Sequence, residues 1–302
     1  MNDFQILAFP NRVEKYNFMT IMFLLIYLIG VMGNVVIITA VLVDSHLHTP
    51  MYLFLCNLSS VDIIFTTVTL PKLMDILLSG KTLVSVTQCF TQLYFYLFAA
   101  GTEDILLSWM AYDRYVAICS PLHYQLIMNK RKCVLLLSGT WMCGCVNALF
   151  LTLSASQLIF CHSKKIHHFF CDIKALQKIS CNNANFYIIV YVESTVLGIC
   201  PFLLSLTSYI KIIMVILSIK SQSGRRKAFS TCTSHLTVLM IFYGMGMCMY
   251  INPPARNAEE QDQVFSVLYA AVTPMLNPLI YSLRNKEVKG ALGRIIGKKA
   301  CV

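Results

Sequence analysis

Residues 101–119 read GTEDILLSWMAYDRYVAIC. Most of the stretch is apolar and it lies within a longer apolar run, yet it holds Glu103, Asp104, Asp113 and Arg114. Whether this run belongs to a soluble core or to a membrane decides the fold. The 302-residue chain is 57% hydrophobic and 13% charged, with a mean hydropathy of +0.66. A soluble domain is about 45–50% apolar and about 25% charged. The excess falls in seven blocks, about 18–43, 52–79, 87–119, 133–155, 186–217, 227–251 and 262–282. Each is close to or longer than the roughly 20 residues that cross a bilayer. A β-barrel shows alternating segments of roughly ten residues instead. The expected architecture is therefore an all-α membrane protein, a seven-transmembrane helix bundle forming one domain over 1–302. Pro274 and Pro278 interrupt the seventh block, which membrane helices tolerate because neighbouring groups re-satisfy the freed backbone. Residues 1–17 are polar and show no small-residue cleavage site, so the first block is expected to act as its own insertion signal.

Lysine and arginine set the orientation. One set of loops and the tail 283–302 carry fifteen Lys and Arg against three acids, while the opposite side carries eight against six. The basic side is expected to be cytoplasmic and residues 1–17 extracellular, in a multi-pass protein of the plasma membrane. The first inner loop, DSHLHTP, has neither Lys nor Arg, so the later loops carry this reading. The net charge of +10 reads as topology plus attraction to acidic lipid or an acidic partner, with no need of nucleic acid. In the tail, Val288, Ala291, Leu292, Ile295 and Ile296 recur at helical spacing among bases, the pattern of a short helix on the inner membrane surface. Cys301 follows it as a candidate lipidation site.

Of thirteen cysteines, Cys89, Cys161, Cys171 and Cys181 fall on the outer side, where oxidation is permitted. Four cysteines allow three pairings, and spacing does not choose among them. Three of the four lie in the long outer loop, about 156–185, which favours a braced loop. His162, His167 and His168 lie beside them, at a spacing that fits no zinc pattern well.

Ionisable groups inside a bilayer are costly and are functional candidates by default. They are Asp62 in the second block, Glu103 and Asp104 in the third and Glu193 in the fifth. Glu103 and Arg114 are separated by about 16 Å along a helix, so the charges of the opening stretch occupy two levels. Asp113 and Arg114 sit at the inner boundary, where anchoring of a helix end is the plainer reading. Glu103 and Asp104 diverge by about 100°. Asp104 shares a stripe with Tyr96, Leu97, Ala100 and Gly101, and Glu103 faces elsewhere. If Asp62 and Glu103 meet, a proton or a sodium-like ion is the expected occupant, with helix glue as the alternative.

The chain resembles the olfactory (odorant) receptors of the rhodopsin-like, class A G-protein-coupled receptors. The resemblance rests on Gly33-Asn34, LHTPMY at 47–52, LSSVD ending at Asp62 and MAYDRYVAIC at 110–119. It continues with Trp141, Ser208-Tyr209, KAFSTCTSHL at 227–236, FYG at 242–244 and PMLNPLIYSLRN at 274–285. It spans nearly the whole chain, with matches in order and in helix-appropriate places.

The resemblance implies roles. Arg114, held by Asp113 at rest, receives the G protein, with Tyr115 beside it in the motif. Tyr209 and Tyr281 are its active-state partners. Asn277, Pro278 and Tyr281 form the switch of the seventh helix. His235 and the stretch Arg225, Arg226, Lys227 mark the inner end of the sixth helix, which moves outward. Asp62 and Glu103, with Asn34 nearby, form the ion site, and no cofactor beyond Na+ is implied. Cys89 pairs with Cys171, and Cys161 with Cys181. The odorant pocket lies among the third, fifth, sixth and seventh helices, lined by Tyr96, Leu97, Ala100, Gly101, Leu197, Tyr243, Gly246, Tyr250 and Val267. The implied partners are a small odorant, a stimulatory olfactory-type heterotrimeric G protein that raises cAMP, and the lipid bilayer.

Two features depart from the family pattern. Asn2, Asn11 and Asn17 lack the glycosylation sequence, and Asn57-Leu58-Ser59 matches it only at the inner end of a helix. Asp104 and Glu193 are not family hallmarks, and as carboxylates they bias the pocket toward amines or hydrogen-bond donors. The rival readings are a class A receptor for another ligand and a proton-coupled transporter. No internal repeat supports the transporter. Residues 262–282 hold no lysine for a retinal Schiff base, and no nucleophile–base pair suggests an enzyme.

Overall fold

The structure is a computed structural model, which describes residues 3–9, 16–161, 164–182, 184–251, 258–284 and 286–299. Seven long helices form the bundle: α1 (Tyr16–Val43), α2 (Pro50–Ser79), α3 (Val86–Cys119), α4 (Lys130–Ser156), α5 (Ala184–Ser218), α6 (Gln222–Ile251) and α7 (258–284). A shorter α8 (Lys286–Lys299) follows. Among the described residues, five of the helices are long and apolar enough, by length and composition, to cross a membrane. Helix α3, with the charges of the opening stretch, is not among them. The seventh helix begins earlier than the apolar block suggests, because its first turns, AEEQDQ, are polar.

Local sequence sets the ends of the elements. Ser85 and Gln88 cap the start of α3 reciprocally, each side chain accepting from the other's backbone N–H, at 3.2 and 3.3 Å. Thr49 precedes Pro50 at the first position of α2, where proline costs no hydrogen bond. Proline also reshapes two helices. Pro201 has no N–H for the Leu197 carbonyl, and Ser194–Ile199 just before it widens into a π stretch. Pro274 does the same to α7 over Leu268–Val272.

Helix α3 runs through the bundle and packs on α2, α4 and α5. Helix α4 approaches it at Gly144, where a methyl group would overlap Thr102 Oγ1. Trp141 Nε1 of α4 donates to Asn57 Oδ1 of α2 at 2.9 Å. Asn57 also donates to the Leu53 carbonyl at 2.8 Å, so its amide is committed within the bundle.

The end of the bundle expected to be extracellular carries a small sheet of order β2-β1-β3. Strand β1 (Phe4–Ile6) pairs antiparallel with β2 (Leu83–Val84) and parallel with β3 (Lys165–Ile166). Phe4 and Ile6 are buried beneath it. Gln263 of α7 joins these layers: its Oε1 accepts from the Phe9 N–H at 2.9 Å, and its Nε2 donates to the His167 carbonyl at 3.2 Å. Disulfides join Cys89 to Cys171 and Cys161 to Cys181, the pairing the family resemblance implies.

At the end expected to be cytoplasmic, α8 docks on the protein as well as presenting an amphipathic surface. Val288 and Ala291 are fully buried, so part of the apolar face expected to meet lipid packs on the bundle instead. Arg294 donates to Asp44 from Nε at 2.9 Å, and Tyr52 Oη donates to Glu287 at 2.7 Å. The side chain of Ile296, and Cys301 with its candidate modification, lie outside the description.

Candidate functional site

Three polar levels run through the bundle. The innermost belongs to Asp113 and Arg114. The Arg114 guanidinium donates to Asp113 Oδ2 from Nη2 at 2.6 Å and from Nε at 3.1 Å. Asp113 is fully buried, and its second oxygen accepts from Tyr124 Oη at 2.7 Å. Sequence reasoning passed over Tyr124, because its short helix Tyr124–Ile127 folds back on α3 only in three dimensions. Burial, then Asp113, push its phenol up from its ordinary value, so it stays a donor.

Around Arg114 stand Tyr209, Cys232, His235 and Tyr281, all within its electrostatic reach. Tyr209 Oη and His235 Nδ1 are 2.8 Å apart, joining α5 to α6. Tyr209 therefore bonds α6 in this structure rather than Arg114. Tyr281 Oη is buried without a hydrogen-bond partner, and His235 lies against the Leu107 backbone. Tyr115 is half-buried, with Lys211 Nζ 5.4 Å from its ring centroid. Arg225 and Arg226 are exposed at the inner start of α6. The side chain of Lys227 lies outside the description.

The middle level joins α1, α2, α3 and α7. Asn277 Nδ2 donates to both oxygens of Asp62, each at 3.1 Å. Glu103 is buried beside them, in electrostatic contact with Asp62, and its Oε1 has no hydrogen-bond partner. Asn34 donates to the Gly30 carbonyl at 3.0 Å and the Pro274 carbonyl at 3.2 Å, leaving Oδ1 unpartnered. Pro278 lies one residue beyond Asn277 and is buried, its ring against Gly33 of α1. Among the described residues, no group of three His, Cys, Asp or Glu is arranged to hold a metal.

The third level faces α5 and α6. Tyr243 Oη donates to Asp104 Oδ1 at 2.7 Å. Glu193 Oε1 accepts from Asn147 Nδ2 of α4 at 2.9 Å. Asn147 went unnoticed in the sequence, since nothing local pairs it with α5. Tyr243 also stacks edge-on against Phe202, with centroids 4.9 Å apart.

The stripe expected on α3 divides. Tyr96 packs between Phe65 of α2 and Phe170 of the outer loop, at 5.1 and 4.6 Å between centroids, whereas Asp104 turns to α6. Eight residues along a helix are about 80° out of phase, enough to send the two side chains to different neighbours. Leu97, Ala100 and Gly101 are partly buried between them. Leu197 lies in the π stretch, Gly246 one turn outward from Tyr243, and Val267 is buried on α7. The side chain of Tyr250 lies outside the description.

A family model described as "Olfactory receptor" matches residues 23–299. Olfactory receptor 1E16 of Mus musculus is 43% identical over 300 residues, covering 99% of this chain and 96% of the relative. Olfactory receptor 1C1 of Homo sapiens is 40% identical over 299 residues, covering 99% and 95%. The crystal structure of squid rhodopsin superposes with a TM-score of 0.78 at 16% identity, over 97% of this chain and 90% of that one, which speaks for the fold alone. With its seven-helix bundle, its Asp113–Arg114 pair and these relatives, the chain belongs to the olfactory receptor family of G-protein-coupled receptors.

Proposed function

We propose that this receptor binds a small odorant in the outer half of the bundle, among α3, α5, α6 and α7, and activates a stimulatory heterotrimeric G protein that raises cAMP. It does so at the plasma membrane with its N-terminus outside. The observation that supports this most is the closed inner level. Arg114 is held by Asp113, and α5 is joined to α6 by Tyr209 and His235. A buried ion pair is poor glue but a usable two-state element. Ligand that moves the outer part of α6 through Tyr243 bears on the same helix that carries His235. Opening frees Arg114, and Tyr209 and Tyr281 become available to it.

The middle level suits a Na+ ion or a proton at Asp62 and Glu103. The unpartnered Glu103 Oε1 and Asn34 Oδ1 are hard oxygen donors beside a second carboxylate. The ion would supply positive charge between acids that otherwise repel. The protein's own part is to hold the Asp62 carboxylate in place through Asn277.

A cAMP assay in cells that supply the G protein tests the reading. An odorant panel should raise cAMP, and Arg114→Ala should abolish the response with surface expression intact. A response that survives Arg114→Ala, or a panel that leaves cAMP unchanged with receptor at the surface, overturns it.

A further inference from the structure

Phe4, Ile6 and Ala8 alternate onto one face of the N-terminal segment and are buried, and Phe9 beyond them is buried too. Backbone bonds hold this segment on both edges. The Ile6 N–H donates to the Thr82 carbonyl, and the Gln5 and Leu7 N–H groups donate to the Lys164 and Ile166 carbonyls, each at 2.8 Å. Phe4 packs edge-on against Phe160, and Phe9 stacks on Phe169, with centroids 5.1 and 6.3 Å apart. Strands β2 and β3 have two residues each, too few to fix the segment by pairing alone.

The remaining hold comes from α7. Gln263 is 3% exposed and commits its whole amide to this corner. Oε1 accepts from the Phe9 N–H at 2.9 Å, while Nε2 donates to the His167 carbonyl at 3.2 Å and lies 3.5 Å from the Leu7 carbonyl. One turn on, Ser266 Oγ and His168 Nε2 are 3.0 Å apart. Residues 4–9 therefore lie across the seam between the loop 164–171 and α7. Val267, a candidate pocket residue, is buried on the same face of α7 one turn deeper than Gln263. Tyr96, another, lies under Phe170, which packs on Phe169 with centroids 4.8 Å apart.

Two features mark the N-terminal segment as the part that moves. Disulfides pin the loop through Cys161 and Cys171, whereas residues 4–9 are held by hydrogen bonds and packing. Phe9 is also the one non-glycine residue among those described with left-handed backbone, at φ 47°. Such a conformation is strained and persists only where its surroundings over-determine it. The N–H of this strained residue is the one that Gln263 holds, so losing that bond removes the restraint where strain is stored.

Resting on the receptor reading above, we propose that residues 4–9 are a lid over the odorant pocket, that Gln263 is its latch, and that odorant passes along the seam between the loop and α7 when the latch releases. A closed lid excludes water from the pocket and commits the bound molecule.

The test needs no agonist. Full-length receptor on intact cells carries Val267→Cys, and a membrane-impermeant, positively charged methanethiosulfonate labels the introduced thiol. The receptor without that thiol gives the background, and Leu83→Cys, at an exposed position of β2, is the open reference. Labelling at position 267 should be at least about tenfold slower than at position 83. Gln263→Leu should speed it by about tenfold, as expected when opening no longer breaks a buried hydrogen bond. Leu151→Cys, buried on α4, should stay protected in both backgrounds. Should Gln263→Leu fail to reach the surface, Phe9→Ala, which leaves α7 unaltered, carries the decision with the same expected direction. Position 267 labelled as fast as position 83 in the unaltered receptor, or a rate unchanged by both Gln263→Leu and Phe9→Ala, overturns the lid. Equal acceleration at position 151 also overturns it, since the bundle then loosens as a whole. These outcomes leave the cAMP result standing. A thiol at position 83 that reacts only after permeabilisation places the sheet inside the cell and defeats both readings.

Discussion

Asn277 of α7 donates one side-chain nitrogen to both carboxylate oxygens of Asp62 on α2, each at 3.1 Å. The two residues are 215 positions apart, and this bond ties the proline-interrupted end of α7 to the centre of the bundle. Asp62 is fully buried, so removing its donor leaves a desolvated carboxylate beside Glu103. Asn277→Leu should destabilise the receptor by about 1–3 kcal/mol. Combining it with Asp62→Asn should recover part of the loss, since a neutral amide costs less to leave unpaired. Thermal unfolding in detergent measures both, and equal melting of wild type and Asn277→Leu would refute the link.

Tyr124 holds the second oxygen of Asp113 at 2.7 Å while Arg114 holds the first. Tyr124→Phe removes one donor from the closed state and touches neither Arg114 nor the helices that move. The closed state should lose about 1 kcal/mol, raising ligand-free cAMP up to about fivefold at equal surface level. Basal signalling that does not rise would show that Tyr124 only packs there.

Asp44 clips the first inner loop to α8 through Arg294 Nη2 at 2.7 Å and accepts from His46 Nδ1 at 2.8 Å. The His46 side chain first, then its backbone N–H, with help from Arg294, hold the carboxyl well below its ordinary value. A carboxyl lowered by folding contributes stability that is fully present above its unfolded pKa, about 4, and is lost as pH falls toward the folded value. Docking of α8 should therefore be independent of pH around neutrality and weaken below about pH 4. Asp44→Asn should flatten that acid limb, read as hydrogen exchange of the α8 amides against pH. An acid limb identical in the variant would remove Asp44 from the account.

Gly144 and Thr102 set the distance between α3 and α4. Thr102 is fixed by its own bond to the Phe98 carbonyl at 2.6 Å, so it cannot swing aside without losing it. Gly144→Ala should cost about 1–3 kcal/mol through overpacking. Thr102→Ala in the same chain should restore most of it, a coupling that a double-mutant cycle on melting temperature reads directly. Additive effects of the two substitutions would mean the helices separate elsewhere.

Much of this protein was legible in one dimension. Hydropathy is a property of each residue and its neighbours along the chain, so the number and approximate extent of the helices follow from the apolar blocks. The same local geometry separates Glu103 from Arg114 along α3 and turns Glu103 and Asp104 to different sides. The tertiary structure alone decided what each charge meets. Asp62 finds Asn277, Glu193 finds Asn147, Asp104 finds Tyr243 and Asp113 finds Tyr124. It also sent Tyr96 to Phe65 and Phe170 although it shares a stripe with Asp104, and it buried Val288 and Ala291 against the bundle. The physical reason is the same in each case. A buried polar group must satisfy its hydrogen bonds with whatever helix packing brings near it, and packing is set by contacts among residues far apart in the chain. Local periodicity points a side chain inward, and the arrangement of the neighbouring helices chooses its partner.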